Sequence, residues 1–284
     1  MNRIPPPKFT GLESFSHCAN SIFQPVLRQR VLDACADIET AAAAYSDNAR
    51  GGTLFSIPPI YAARGDDPVV LQTVLKSELI NLYDYNMVQR HPGRDYYDRI
   101  LIVANEKCPY CGGIGRPQSL DHYLPKAHYP QHSVNPQNLI PACRDCNAGK
   151  SNDLATVANR QYIHPYLDSD RFFIDQWVHA TVVYTEPYYI HFFASPPQAW
   201  PAIDTSRAIN HFAEFDLGKR YAIQAGGELS VIIDQRRGFL ANLSPQDFSS
   251  YLQSVAGARL LPNQWRRVMY QALSADQRFC STAF

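Results

Sequence analysis

The sequence has few of the features that mark a membrane or exported protein. Its longest apolar runs, such as residues 41–44 and 231–233, are far shorter than the roughly 20 residues that a membrane-spanning helix needs. The segment from Met1 to Thr10 is rich in proline and lacks the basic-then-apolar order of a secretory signal. We therefore predict a cytoplasmic protein without a membrane segment.

The chain also lacks an excess of charge of either sign, since 26 basic side chains balance 26 acidic ones. This balance argues against a strongly basic protein that coats nucleic acid by itself. It does not exclude an enzyme that binds a phosphate backbone through a local positive cleft. Internal repeats and low-complexity tracts are absent from the sequence, and its 45% hydrophobic content is enough for a sizeable core.

The chain has seven cysteines, and four of them form two C-x-x-C pairs. The pairs are Cys108 with Cys111 and Cys143 with Cys146. Without an export signal, two such pairs indicate zinc before disulfides, because four thiolates complete a tetrahedral shell. The pattern alone is equally compatible with a ribbon in which zinc only stabilises the fold.

Apolar spacing predicts helices on both sides of the cysteine region and a β-rich segment after it. Helices are predicted over 21–48, 69–89, 96–105, 145–150, 206–224 and 245–275, and paired strands over 177–193 with a turn at Pro187. The predicted organisation is an N-terminal helical region 1–105, a motif core 106–153 and a C-terminal mixed region 154–284 packed on that core. The fold class expected is α+β.

Between the cysteine pairs lie the segments L-D-H-Y-L-P-K, starting at Leu120, and N-L-I-P-A-C-R-D-C-N-A-G-K, starting at Asn138. Together with C-P-Y-C-G they resemble the HNH nucleases of the ββα-metal superfamily. The defining positions of that family fall on His122, Asn138 and Asn147, so the sequence resembles an H-N-N version with a four-cysteine zinc site. The resemblance covers residues 108–150 and implies a ββα hairpin-and-helix core.

The chemistry of phosphodiester hydrolysis gives these residue types a reason of their own. A base must activate water, and the His122 imidazole suits this task because it titrates near neutral pH. A cation must offset charge on the phosphate oxygens. Asp121 and Asn147 offer hard oxygen ligands suited to Mg²⁺ or Mn²⁺, distinct from the zinc. Since neighbouring residues on a strand point to opposite faces, an irregular strand end must bring Asp121 and His122 together.

Other residues of the segment receive supporting roles. By resemblance, Asn138 holds the loop that carries His122 through hydrogen bonds. Lys150 is the favoured phosphate contact, with Lys126 and Arg144 as alternatives, although such lysines and arginines are commonly solvated surface charges. Three further histidines (His128, His132 and His164) are predicted to have structural roles before catalytic ones.

The resemblance implies a divalent-metal-dependent endonuclease that leaves 5′-phosphate and 3′-hydroxyl ends, with DNA as the favoured substrate. The layout also looks like HNH proteins of prokaryotic anti-phage defence, including the nuclease component of Septu-type systems, so an ATPase or other defence subunit is an expected partner. Two alternatives stay open. One is a catalytically inactive zinc hairpin that binds nucleic acid or protein, and the other is a nuclease that acts alone with its own sequence readout.

Overall fold

The computed structural model describes residues 1–150, 155–258 and 260–284. The described chain divides into two compact units. The site unit comprises Arg3–Pro109 and Gly115–Asp168, and the C-terminal unit comprises Met1–Asn2, Tyr110–Ile114 and Ser169–Phe284. The predicted division into 1–105, 106–153 and 154–284 assigns one continuous stretch to each region, whereas each unit combines separate stretches. That division stays a prediction. The last residues of its core segment, 151–153, lie outside the described residues.

The site unit begins with helices that surround a short hairpin. Its elements are α1 (Gly11–Asn20), α2 (Pro25–Asp33), α3 (Cys35–Gly51), β1 (Val69–Leu71), β2 (Val74–Leu75), α4 (Lys76–Asn81), a π-helical segment (Leu82–Met87) and α5 (Gly93–Ile102). Thr10 caps α1 in a reciprocal pair with Glu13, the T-x-x-E pattern of a capping box. Gly52, in the left-handed conformation, ends α3.

Two helix predictions in this region need correction. The stretch 21–48 is two helices that meet at Ala34, and Pro25 lies in the first turn of α2. The stretch 69–89 begins as the β1–β2 hairpin, because Gln72 adopts a positive φ of 49° that no helix accommodates. The Asp67 carboxylate accepts a hydrogen bond from Ser77 N at the beginning of α4.

The predicted motif core is a ββα unit. Strands β3 (Ser119–His122) and β4 (Leu139–Ala142) pair in antiparallel register, with Asp121 opposite Ile140, and helix α6 (Arg144–Gly149) follows. Leu120 and Leu139 belong to the same buried core as the side chains of the N-terminal helices. The α+β class is confirmed, since helices flank a small hairpin that carries the motif.

The C-terminal unit is built on a second hairpin. Its elements are α7 (Arg171–Ile174), β5 (Val178–Val183), β6 (Tyr189–Ala194), α8 (Ala202–Glu214), α9 (Leu217–Arg237), α10 (Pro245–Ala256), α11 (Trp265–Ala275) and α12 (Gln277–Ser281). The predicted strand pair and the turn at Pro187 are confirmed. Asn263 Oδ1 accepts hydrogen bonds from the backbone of Trp177 and Val178, which fixes the start of β5.

The two helices predicted in this unit are each interrupted. The stretch 206–224 is divided between α8 and α9 by Asp216, whose φ is 47°. The stretch 245–275 is divided between α10 and α11, and Arg259 of that stretch lies outside the described residues. Within 1–150, 155–258 and 260–284, no helix is both long enough and apolar enough to cross a membrane.

Candidate active site

The four motif cysteines come together in space. Their sulfur atoms all lie within 4.8 Å of one another, and all four residues are buried. Four thiolates at this spacing fit the tetrahedral all-sulfur shell that zinc prefers in proteins. Gly112 and Gly113 follow the first pair with positive φ angles of 66° and 91°. The four cysteines could therefore hold one zinc ion, as the sequence predicts.

His122 is the last residue of β3 and is 8% exposed. Its Nε2 lies 2.8 Å from the backbone carbonyl oxygen of Ser133. Because a carbonyl oxygen only accepts, Nε2 carries the hydrogen and donates it. The ring meets Tyr83 edge to face, with centroids 4.3 Å apart. These contacts fix the ring and leave Nδ1 as its proton-accepting nitrogen.

Burial strongly favours the neutral form of this imidazole. Desolvation lowers the pKa of His122 to about 3, with a further lowering by the ammonium groups of Lys126 and Lys150 and an opposing effect of the bond to Ser133. The sequence-based expectation of titration near neutral pH is therefore corrected. This lowering keeps the His122 imidazole neutral near pH 7.

Asp121 and Asn147 share the face of the hairpin opposite to His122. Ser119 lies two residues before Asp121 on β3, so the two side chains point the same way. Asn147 on α6 donates from Nδ2 to Ser119 Oγ at 2.8 Å, and no hydrogen bond to its amide oxygen occurs among the described residues. This orientation is the one in which the amide oxygen is offered to a cation.

The strand end brings both faces to one cleft. A cavity of about 220 Å³ is lined by Asp121, His122, Lys126, Asn147 and Lys150, together with Pro125 and Ala127. The β3–β4 register is regular through His122, and the chain bends immediately afterwards. Asp121 and His122 therefore line one cleft, as predicted. The backbone bends after β3, and the strand itself stays regular. The cleft combines a carboxylate, an amide and a neutral imidazole.

Lys150 places a positive charge inside this cleft. Its Nζ donates to Asp121 Oδ2 at 2.9 Å, to His122 O at 2.5 Å and to Tyr123 O at 3.1 Å. The side chains of Lys150 and Asp121 are only 5% and 9% exposed. Lys150 is thus a buried, fully hydrogen-bonded ammonium, in contrast to the solvated surface lysine that is common elsewhere.

Asn138 is completely buried between the loop after His122 and strand β4. Its Oδ1 accepts from Leu124 N at 2.7 Å, and its Nδ2 donates to Leu124 O and His132 O at 3.0 and 3.1 Å. These bonds hold Leu124 close to His132, the residue before Ser133. Asn138 is not among the residues that line the cleft of Asp121 and His122.

The remaining sequence candidates lie at the margin of the cleft or outside it. Lys126 lines the cleft and pairs with Asp84, whereas Arg144 is exposed and is not among the cleft residues. His132 is buried against Tyr45, with ring centroids 5.0 Å apart. His164 is also buried, with Nε2 3.2 Å from Tyr45 Oη. The ring of His128 meets that of Tyr61, with centroids 5.4 Å apart.

Sequence reasoning missed three contributors to this arrangement. Ser119 could have been found, because it lies on the same strand face as Asp121 and adjacent to the helix that carries Asn147. Tyr83 contacts His122 from a distant element, and Ser133 contributes only its backbone carbonyl. Neither contact leaves a signal in a single sequence. Tyr83 is distant from His122 along the chain, and any residue at position 133 can supply a carbonyl.

Comparisons with known proteins agree with this arrangement. The family profile described as HNH endonuclease matches residues 108–153. Protein ea31 of Escherichia phage lambda is 34% identical over 293 residues, covering 98% of this chain and 99% of that protein. Septu protein PtuB of Bacillus thuringiensis is 36% identical over 63 residues, covering 20% of this chain and 24% of that protein. No solved structure matches significantly. The chain therefore belongs to the family of phage lambda protein ea31, and it carries an HNH endonuclease domain.

Proposed function

We propose that the protein is a divalent-metal-dependent endonuclease that hydrolyses nucleic-acid phosphodiester bonds, with DNA as the favoured substrate. One observation carries the proposal: the neutral His122 imidazole, anchored through Nε2, shares a cleft with the oxygen ligands Asp121 and Asn147. A base and a cation site within one cleft are the two requirements of metal-assisted hydrolysis.

Asp121 and Asn147 would hold the divalent cation. A carboxylate oxygen and an amide oxygen are hard ligands, and a wide cleft leaves room for water and phosphate in the other coordination positions. When bound, Mg²⁺ or Mn²⁺ would offset negative charge on the phosphate and on the leaving oxygen. The Asn147 amide is already oriented for this role by Ser119.

His122 acts as the general base. Nδ1 removes a proton from a water molecule as the water oxygen bonds to phosphorus, and the bond to O3′ breaks. O3′ leaves with the bonding electron pair and takes a proton from a solvent water, which gives the 3′-hydroxyl. The 5′-phosphate stays on the other fragment, and solvent removes the first proton from the imidazole. Asn138 is a positioning residue, because its hydrogen bonds fix the loop whose Ser133 carbonyl orients the ring.

Zinc in the four-cysteine cluster has a structural role in this proposal. The second cysteine pair flanks the first turn of α6, the helix that carries Asn147. Ligation there fixes the helix and, through it, one ligand of the catalytic cation. The two metals are thus chemically separate, one bound by soft sulfur and the other by hard oxygen.

The relatives support a biological context for the proposed activity. Similarity to Septu protein PtuB supports a role in anti-phage defence beside a partner subunit, for which an ATPase is our candidate. The similarity to protein ea31 extends over nearly the whole chain, but that name specifies no activity. A second candidate function, an inactive zinc hairpin that binds nucleic acid, would share the cysteine cluster without using the cleft.

The test is cleavage by the purified zinc-loaded protein. Supercoiled plasmid, single-stranded DNA and RNA are incubated with Mg²⁺, with Mn²⁺ and with chelator. The proposal predicts metal-dependent cleavage of DNA and its loss in the Asp121→Ala and Asn147→Ala variants, with zinc retained in both. Binding of nucleic acid without cleavage under every metal condition would favour the inactive hairpin instead.

A further inference from the structure

We infer that the Lys150 ammonium couples divalent-cation binding at Asp121 to nucleic-acid binding, so that the cation binds tightly only when a phosphate enters the cleft. The inference rests on the proposed function, since it assigns a regulatory contact within the proposed site. Its basis is a buried ion pair between Lys150 and Asp121, the carboxylate proposed to hold the metal. The hydrolytic mechanism does not itself require this ion pair.

The ammonium is bound as a cation in its own right. Three oxygen atoms accept its hydrogen bonds at 2.5 to 3.1 Å: Asp121 Oδ2, His122 O and Tyr123 O. The rings of Tyr123 and Tyr162 lie 5.8 and 5.7 Å from Nζ, within the range of cation–π attraction. Lys150 follows α6 directly, so its backbone is fixed close to that of Asn147.

Two cations that share one carboxylate repel each other. A divalent ion on Asp121 would lie within several ångströms of Nζ, at a buried position where solvent screens charge weakly. Either the ammonium moves away and loses its three hydrogen bonds, or both cations stay and repel each other. In both cases Lys150 lowers the affinity of the free protein for the metal.

A phosphodiester in the cleft reverses this effect. Its negative charge offsets the summed positive charge, and its oxygens can accept the hydrogen bonds that Nζ gives up. The flexible side chain of lysine allows the ammonium to turn from Asp121 to a phosphate without movement of the helix. Metal and nucleic acid should therefore bind cooperatively, and the coupling must be reciprocal.

The experiment measures Mn²⁺ affinity by isothermal titration of zinc-loaded parent and Lys150→Met proteins, with and without a phosphorothioate oligonucleotide that resists cleavage. Without oligonucleotide, Lys150→Met should bind Mn²⁺ at least about tenfold more tightly than the parent, because one repelling charge is gone. The oligonucleotide should tighten Mn²⁺ binding by the parent markedly and by the variant little. Equal or weaker Mn²⁺ binding by Lys150→Met would overturn the inference.

Three variants serve as controls. Lys150→Arg keeps the charge and should keep the weak Mn²⁺ binding of the parent. Lys126→Met removes the other lysine of the cleft, which pairs with Asp84, and should change Mn²⁺ affinity less than Lys150→Met. Asp121→Asn should abolish the Mn²⁺ site and so identify the signal. Tight binding by Lys150→Arg, matching Lys150→Met, would assign the effect to packing and overturn the inference.

Thermal unfolding covers the case in which Lys150→Met folds poorly. Loss of the ammonium leaves the buried Asp121 charge uncompensated, so the variant should melt at a lower temperature than the parent. Saturating Mn²⁺ should then raise its melting temperature more than that of the parent. A variant that saturating Mn²⁺ does not stabilise would contradict the inference. Plasmid cleavage on the same preparations tests the proposed function separately, because the Mn²⁺ titration is read without turnover.

Discussion

The Nε2 atom of His122 lies 2.8 Å from the carbonyl oxygen of Ser133, eleven positions along the chain. This contact selects the tautomer in which Nδ1 accepts protons, and the edge-to-face contact with Tyr83 holds the ring plane. A loop carbonyl therefore orients the proposed base, and the geometry of that loop matters as much as the identity of His122.

The first prediction concerns the pH dependence of cleavage. Because desolvation lowers the pKa of His122 to about 3, the imidazole is already neutral at pH 6, and no rate increase should arise from its deprotonation between pH 6 and 8. Single-turnover rates of the parent and of His122→Ala, measured across this range at constant metal, isolate that contribution. An inflection near pH 6.5 in the parent that disappears in the variant would contradict the assigned pKa direction.

The second prediction concerns Asn138. Asn138→Ala leaves the backbone groups of Leu124 and the carbonyl of His132 without their buried partner, so the free energy of unfolding should fall by about 2 to 4 kcal/mol. Urea unfolding measures this loss. Asn138→Asp is the matched control, because it keeps the acceptor for Leu124 N but loses the donor. It also buries a carboxylate oxygen against the carbonyl oxygens of Leu124 and His132, so it should be no more stable than Asn138→Ala, and parental stability of both variants would refute the role.

The third prediction concerns the cysteine cluster. Cys143→Ser should reduce bound zinc and lower the melting temperature, because it removes one of four thiolates. Cys18→Ser is the control, since Cys18 is buried in the apolar core of the N-terminal helices and outside the cluster. Zinc analysis should show the parental content in Cys18→Ser. Full zinc content together with unchanged melting in Cys143→Ser would exclude the site.

The fourth prediction concerns acid stability. Burial lowers the pKa of His132 to about 3, whereas an unfolded histidine titrates near 6.5. Between these values the unfolded chain binds a proton that the folded protein excludes, so His132 lowers the free energy of unfolding as pH falls from about 6.5 towards 3. The slope from one such group is at most about 1.4 kcal/mol per pH unit.

His132→Phe tests that contribution. Phenylalanine keeps an aromatic ring against Tyr45, and His132 Nδ1 has no hydrogen-bond partner among the described residues. The variant should lose stability less steeply than the parent between pH 7 and 5, as measured by urea unfolding with zinc content monitored. His122 and His211 also have pKa values lowered by burial, so part of the slope should persist. Parallel pH profiles would rule out the effect.

The motif core was predictable from sequence because its chemistry is local. The resemblance of His122, Asn138 and Asn147 to the HNH motif implied a ββα unit between and after the cysteine pairs, and the structure has that unit there. The contact of Lys150 with Asp121 was not predictable, since it depends on the bend after β3 and on the end of α6. A phosphate contact was the sequence expectation for Lys150, and that role stays a prediction.

Helix boundaries were less predictable than helix existence. Apolar residues such as Val70 and Val74 fit a helical repeat, yet the positive φ at Gln72 turns this stretch into a hairpin. The left-handed Asp216 divides α8 from α9 in the same way. Single non-glycine residues with positive φ interrupt a helix without interrupting its apolar pattern, so periodicity alone does not detect them.

Single-turnover DNA cleavage by parent and His122→Ala proteins tests whether His122 is the base of a metal-dependent nuclease. Both proteins are prepared zinc-loaded and assayed with Mg²⁺ or Mn²⁺ and with chelator. The parent should cleave only with the divalent metal, and the variant should be folded, zinc-bound and slower by roughly 10² to 10⁴. A folded, zinc-loaded His122→Ala protein that cuts at the parental rate would contradict this role.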